Sequence, residues 1–215
     1  MEGLTYAVIG TGGLGGYYGG RLAAAGHDVH FLARSDYGVL RSAGLKVCSC
    51  DGDFTIDTVN VYSSSEEMPK ADVVLVCMKT TGNAGLAKLI EPILKERTAV
   101  VLIQNGLGME QDLAAELPEA RIIGATAFIC STRTAPGTIM HAAYGSLTLA
   151  PLDGISDGLM QQICSDMVAS GVPCTITDDI VTMRWKKLVW NIPYNGMSVA
   201  ENAKTDVLTF DPELR

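Results

Sequence analysis

Residues 10–15 read Gly10-Thr11-Gly12-Gly13-Leu14-Gly15, a loop nearly bare of side chains where a phosphate could come close to the backbone. Between a strand and a helix such a loop binds phosphates, because the free amides of the first helical turn point at the ligand and the helix dipole favours its charge. Gly10 would then allow the tight turn and Gly12 the approach of a pyrophosphate, while Gly15 lets the helix pack on the strand. Thr11, Gly13 and Leu14 belong to the same cradle. In a chain with 23 glycines the motif alone is weak, and a glycine-rich loop without a ligand is the competing reading. Its position strengthens it: an apolar run, residues 4–9, precedes it and a helical pattern follows.

Three more polar side chains sit where apolar runs end. Arg34 follows residues 28–33 in Ala33-Arg34-Ser35. An acidic residue there would favour the ribose hydroxyls of NAD, whereas a planar, permanently charged guanidinium suits the 2′-phosphate of NADP. Asp36, two positions on, leaves open a slipped carboxylate and NAD, and Arg34 could also be a solvated surface residue. Lys79 ends the run at 71–78, and Asn105, within Gln104-Asn105-Gly106, ends the run at 98–103. If those runs are parallel strands, Gly10, Arg34, Lys79 and Asn105 converge on the sheet edge where open α/β sheets bind ligands. Lys187, Asn191 and Asn195 form a separate set. On a helix, steps of four residues turn about 40° each, so the three share an arc of roughly 80°. One ammonium and two amides in a row could hold and protonate a polar substrate; a solvated polar face is the alternative. Pro193 should kink that helix by removing a backbone bond and crowding Val189. Trp185 and Trp190 beside the stripe suit a partly buried helix.

The elements that must position these groups follow from the pattern. Residues 4–9 and 28–33 read as strands joined by a helix over 14–25 that Gly26 closes, a βαβ unit that makes the first sheet parallel. A short helix at 37–43 and strands near 45–50 and 53–62 follow, then a polar loop at 63–67. The run 71–78, apolar except at Asp72, suits a strand covered on both faces. Helices are expected over 83–95, 109–117 and 155–171, and strands over 98–103, 121–129 and 137–150, the last alternating like antiparallel edge strands. From about 178 to 200 the pattern is one long helix with no strand after it. The fold class expected is therefore α/β: a Rossmann-type, largely parallel sheet with helices on both faces over residues 1–178, then the start of an all-helical domain over 179–215.

Composition removes whole classes of function. The 215 residues are 47% hydrophobic and 19% charged, enough to bury a core and unlike a disordered chain. A net charge of −8 opposes nucleic-acid or anionic-membrane binding, so an anionic ligand needs a local cluster of cations. No apolar run reaches 18 residues, and the N-terminus Met1-Glu2-Gly3 is acidic and passes straight into a strand, unlike a signal peptide. Cys48, Cys50, Cys77, Cys130, Cys164 and Cys174 include no C-x-x-C, which suggests reduced thiols, a cytoplasmic location and no metal. His27, His30 and His141 show no common partners in the sequence. Neither a carboxylate pair nor a G-x-S-x-G elbow is present, so hydrolase chemistry lacks its residues.

Taken together, the Gly10–Gly15 loop, Arg34, Lys79, Gln104-Asn105-Gly106-Leu107-Gly108 and Trp185-Lys186-Lys187-Leu188 with Asn191 and Asn195 resemble the ketopantoate reductase (2-dehydropantoate 2-reductase) family from Leu4 to the last residue. The lysine–asparagine–asparagine helix combined with Asn-Gly is its more specific part. The resemblance implies NADPH-dependent reduction of 2-dehydropantoate to pantoate, for pantothenate and coenzyme A synthesis. It implies a catalytic role for Lys187, substrate binding by Asn191 and Asn195, Asn105 between cofactor and substrate, and Lys79 near the nicotinamide. Family members continue into a full helical domain with a serine-containing substrate loop and a glutamate. This chain stops in Asp211-Pro212-Glu213-Leu214-Arg215, so the resemblance implies truncation, an apolar helix side left open and a homodimer through the C-terminal region. A reductase of another branched 2-keto acid or a polyol, and a non-catalytic NADP(H)-binding regulator, are the alternatives.

Overall fold

The computed structural model describes residues 3–210; the expectations for residues 1–2 and 211–215 lie outside them. In chain order the first elements are β1 (Thr5–Ile9), α1 (Gly13–Ala24), β2 (Asp28–Leu32), α2 (Tyr37–Ala43), β3 (Leu45–Ser49), β4 (Phe54–Ile56) and β5 (Asn60–Tyr62). Next come β6 (Ala71–Val76), α3 (Leu86–Ile90), β7 (Leu94–Leu102), α4 (Met109–Glu116), β8 (Arg121–Ala135) and β9 (Thr138–Pro151). The last are α5 (Gly158–Ala169), β10 (Cys174–Ile176), α6 (Ile180–Ala200) and α7 (Thr205–Phe210). Between Ile180 and Val181 the chain divides into two compact units.

The strands of the first unit form one sheet in the order β4-β3-β9-β8-β7-β6-β1-β2-β5, with β10 beside β9. All its pairings are parallel except β3–β4 and β8–β9. Successive strand residues point to opposite faces, and here both faces are covered. Tyr6, Val8, Val73 and Leu75 join a core with Tyr17 and Leu22 of α1 and Met160 of α5. Ala7, Ile9, Val74 and Val76 join a second core with Leu86 of α3 and Leu113 of α4. This double coverage is why residues 73–76 are apolar without alternation.

Two side-chain contacts fasten the edges of this frame. The Tyr6 hydroxyl donates to Asp166 Oδ2 at 2.5 Å, tying β1 to α5, and burial with that carboxylate pushes the phenol far above its ordinary value. Asp72 accepts from Thr5 N–H at 3.0 Å and from Lys95 Nζ at 2.7 Å. Partial burial raises its carboxyl, but the lysine and the amide outweigh that and hold it below the usual value.

The hairpin β8–β9 departs from a plain doubly wound sheet. Its register shifts near Phe128/Ile129, Cys130/Ser131 and Arg133/Ala135, and such bulges bend and twist a ribbon. Its base pairs with β7 while its tip pairs with β3. Because β4 and β5 lie at opposite ends of the strand order yet only residues 57–59 join them, a reach of about 14 Å at most, the sheet must curl until its ends nearly meet. Helix α1 is enclosed by that curl. A Cβ on Gly15 would lie 2.0 Å from Gly10 O and one on Gly19 2.6 Å from Phe31, both on the β1–β2 side. On the other side, a Cβ on Gly13 would lie 2.7 Å from Ser131 O and one on Gly16 2.6 Å from Ile139. Much of the glycine in this stretch therefore serves close packing.

Several sequence expectations are corrected. Residues 83–95 do not form one helix: Gly85 takes φ +98 and Pro92 cannot donate, so only α3 is α-helical and β7 begins at Leu94. The strand expected over 53–62 is split into β4 and β5. Hairpin strand β9 is not at an edge, since β8 and β3 flank it, and β10 was not foreseen. In the second unit α7 follows α6 where no element was expected.

Candidate functional site

Strands β7, β6, β1 and β2 lie side by side and parallel, so Gly10, Arg34, Lys79 and Asn105 do follow their carboxyl ends at one sheet edge. A cavity of about 520 Å³ opens there, walled by Gly10, Thr11, Gly12, Arg34 and Arg133 together with apolar Ile9, Leu32, Met78 and Leu89. Gly10 takes φ +97, a conformation that favours glycine, and its Cβ would meet the Met78 backbone at 3.0 Å. At Gly12 a Cβ would meet nothing within 4 Å, so its bareness leaves open space beside the start of α1. Gly13, Leu14 and Gly15 form the first turn of that helix, whose free amides suit a phosphate. Buried Cys77, packed behind Gly15, has its thiol pushed up to about 12 by desolvation; it is a support for the loop, not a nucleophile. These features fit the pyrophosphate end of a dinucleotide.

Arg34 and Asp36 both line the cavity but differ in their contacts. Asp36 is buried; one carboxylate oxygen accepts from the Ser35 hydroxyl at 2.7 Å and from Arg133, and the other from the Gly137 N–H at 3.2 Å. It clamps the tip of the β8–β9 hairpin while lining the same cavity as Arg34. Arg34 is exposed at the cavity wall and has no partner among the described residues. Arg133, which sequence reading missed, adds a second guanidinium to the same wall. It lies on a strand's far end with no local motif, and only the bend of the hairpin brings it here.

Lys79 and Asn105 are exposed at the ends of their strands but do not wall the cavity. Their loops are held together by Gln104, whose side-chain amide donates to Met78 O and Asn83 Oδ1, both at 2.8 Å, and accepts from Asn83 Nδ2 at 3.1 Å. Gln104 is 4% exposed, so this link is shielded from water and positions the two loops as one piece.

In the second unit, Lys187 and Asn191 are half-buried and Asn195 is exposed along α6. Val181, Trp185, Val189, Ile192 and Val199 are exposed, at 55%, 50%, 71%, 63% and 82%. At about 100° per residue they share one face, centred roughly 120° from the polar stripe. Both tryptophans are about half-exposed, Trp190 stacking on Tyr194 at 4.3 Å, so they are less buried than their flanking of the stripe suggested.

Residues 6–154 match the family described as "Ketopantoate reductase PanE/ApbA". The chain belongs to that family. A protein of Nostoc sp. named 2-dehydropantoate 2-reductase is 49% identical over 98% of this chain and 67% of its own length. One of that name from Halobacterium salinarum is 27% identical over 95% of this chain and 68% of its own length. The crystal structure of 2-dehydropantoate 2-reductase from Geobacter metallireducens superposes with a TM-score of 0.94 at 39% identity, covering 98% of this chain and 70% of that one. The corresponding enzyme structure from Methylococcus capsulatus gives 0.87 at 35% identity, covering 98% and 69%. The chain thus spans about two thirds of the length of these relatives.

Proposed function

We propose that this chain carries the NADP(H)-binding domain and first substrate helix of a 2-dehydropantoate 2-reductase, which reduces the 2-keto group to give pantoate. The observation that carries it, in a chain of this family, is the glycine-lined cavity with Arg34 free at its wall and both carboxylate oxygens of Asp36 engaged in the hairpin clamp. When bound, NADPH supplies the hydride. The first turn of α1 holds its pyrophosphate, and Arg34, with Arg133 beside it, pairs with the 2′-phosphate. Lys79 and Asn105, on loops that Gln104 ties together, act at the nicotinamide and substrate end.

Reduction of a ketone builds negative charge on its oxygen. Lys187 stabilises that charge and donates the proton that completes the alcohol, which an amide cannot do. Asn191 and Asn195, at successive turns of α6, bind the polar end of the substrate without adding charge. We place the protein in the cytoplasm. Among the described residues no helix is long and apolar enough to cross a membrane. The exposed apolar face of α6 supports a homodimer through this region.

The test is steady-state NADPH oxidation with 2-dehydropantoate and a panel of other branched 2-keto acids, on this chain and on a version extended to the relatives' length. The reading expects 2-dehydropantoate to give the highest kcat/KM. A different preferred acid would make this a reductase of that substrate, and tight NADPH binding without turnover in either version would make it a cofactor-binding regulator.

A further inference from the structure

Away from the cofactor cavity, the parallel pairing of β3 with β9 sets Ser49 opposite His141 and leads Cys50 and Asp51 past the same histidine. The Cys50 N–H donates to His141 O at 3.0 Å. One ligand atom from each of the three residues lies within 4.8 Å of the other two: His141 Nδ1 is 3.8 Å from Cys50 Sγ and 3.8 Å from Asp51 Oδ2, and the other Asp51 oxygen, Oδ1, is 3.7 Å from Cys50 Sγ. A tetrahedral zinc with ordinary bond lengths sets its nitrogen, sulfur and oxygen ligands about 3.3–3.6 Å apart. Small rotations of two exposed side chains would close the difference.

The histidine is prepared for such a role. It is 1% exposed, and its ring packs on Tyr17 with centroids 4.2 Å apart. Its Nε2 lies 3.0 Å from Tyr144 O; a carbonyl only accepts, so Nε2 donates its N–H there and Nδ1 is the nitrogen turned toward Cys50 and Asp51. That carbonyl is presented by Tyr144 at φ 67, beside the hairpin bulge, an uncommon backbone state for a side chain of this size. A ligating histidine usually has its second nitrogen fixed in this way. The Arg21 guanidinium, 3.9 Å from Asp51 Oδ2, and the Ser49 hydroxyl, 2.8 Å from Nδ1, complete the surroundings.

We propose that Cys50, Asp51 and His141 form a zinc site, with a water in the fourth position, that staples the β3–β4 turn to β9. Binding takes the Cys50 proton to solvent and leaves a thiolate on the metal. The ion replaces the Ser49 hydroxyl at Nδ1, while Asp51 is shared between the metal and Arg21, as ligating carboxylates commonly are. None of the three ligands walls the cofactor cavity, so the site is separate from the reductase chemistry.

Zn²⁺ titration calorimetry on the purified chain, with Co²⁺ in parallel to read thiolate–metal absorption, tests this. The expected result is one ion per chain, a cobalt–thiolate band and a raised Tm with Zn²⁺. Cys50→Ser should abolish the band, and Cys50→Ser and Asp51→Asn, both at exposed positions, should each weaken Zn²⁺ by at least about tenfold. Cys48→Ser should keep both band and affinity. Absence of stoichiometric binding, or binding unchanged by both ligand substitutions, would overturn the proposal.

Discussion

Replacing Gly12 by alanine separates two reasons for glycine in the first loop and helix. Gly12 caps α1 with φ −77 and ψ −161, an extended conformation open to any residue, and its added Cβ would touch no protein atom within 4 Å. Alanine is a poorer N-cap than glycine by several tenths of a kcal/mol, while its smaller unfolded-state entropy returns about 0.4–1 kcal/mol. The apo protein should therefore change stability by less than about 0.5 kcal/mol. The cofactor should respond differently. A methyl in the space meant for the pyrophosphate displaces it from the amides of α1, and losing one hydrogen bond to a charged group costs about 1.5–3 kcal/mol. That corresponds to NADPH binding roughly 10- to 150-fold weaker. Gly16→Ala is the contrast: its Cβ would lie 2.6 and 2.7 Å from Ile139 carbons, an overpacking that should cost about 1–3 kcal/mol of stability. Urea denaturation of the apo proteins and NADPH titration calorimetry measure both quantities. If Gly12→Ala binds NADPH within about twofold of the parent, an effect too small for a lost phosphate contact, the loop is not the phosphate cradle.

Other outcomes follow from the same structure. Arg34→Ala should weaken NADPH about tenfold or more and leave NADH nearly unchanged; equal losses for both cofactors by calorimetry would remove Arg34 from the 2′-phosphate. In the full-length enzyme Lys187→Ala should lower kcat by roughly 10²–10⁴ with little change in NADPH affinity, as expected for a general acid, while Lys186→Ala stays active. Normal turnover by the Lys187 variant, or loss in the Lys186 variant, would mean that the helix register has been misassigned. Asp72 has its carboxyl held below the unfolded value, so its contribution is complete above the ordinary carboxylate range and fades as pH falls through the folded value. Asp72→Asn should cost less than about 1 kcal/mol at neutral pH, given how exposed the pair with Lys95 is. A cost that persists unchanged in acid, by urea denaturation across pH, would show that ionisation is not the cause. Light scattering should find a dimer that Val189→Glu on the exposed face of α6 dissolves; a clean monomer at high concentration would contradict the association.

Local chemistry in the sequence determined the elements nearest the cofactor. The apolar run into Gly10, the glycine spacing and the helix closed by Gly26 are contiguous, and contiguous residues declare their backbone conformation through sterics and period. The same holds for α6, where spacing alone puts Lys187, Asn191 and Asn195 in one stripe. Tertiary structure decided what depends on residues far apart in the chain. That Asp36 is engaged while Arg34 is left without a partner turns on Arg133 and Gly137, about 100 residues away, and these arrive only because bulges bend a long hairpin back over α1. Gly13 and Gly16 look like phosphate-loop and helix glycines in sequence, yet the carbonyl of Ser131 and the side chain of Ile139 leave no room for a Cβ. His141 shows no partner in the sequence, but strand register delivers Cys50 and Asp51 to it across 91 positions or fewer. Local pattern fixes conformation because backbone sterics act between neighbours in the chain, whereas who faces whom across a fold is set by strand pairing and close packing, which no single stretch of sequence contains.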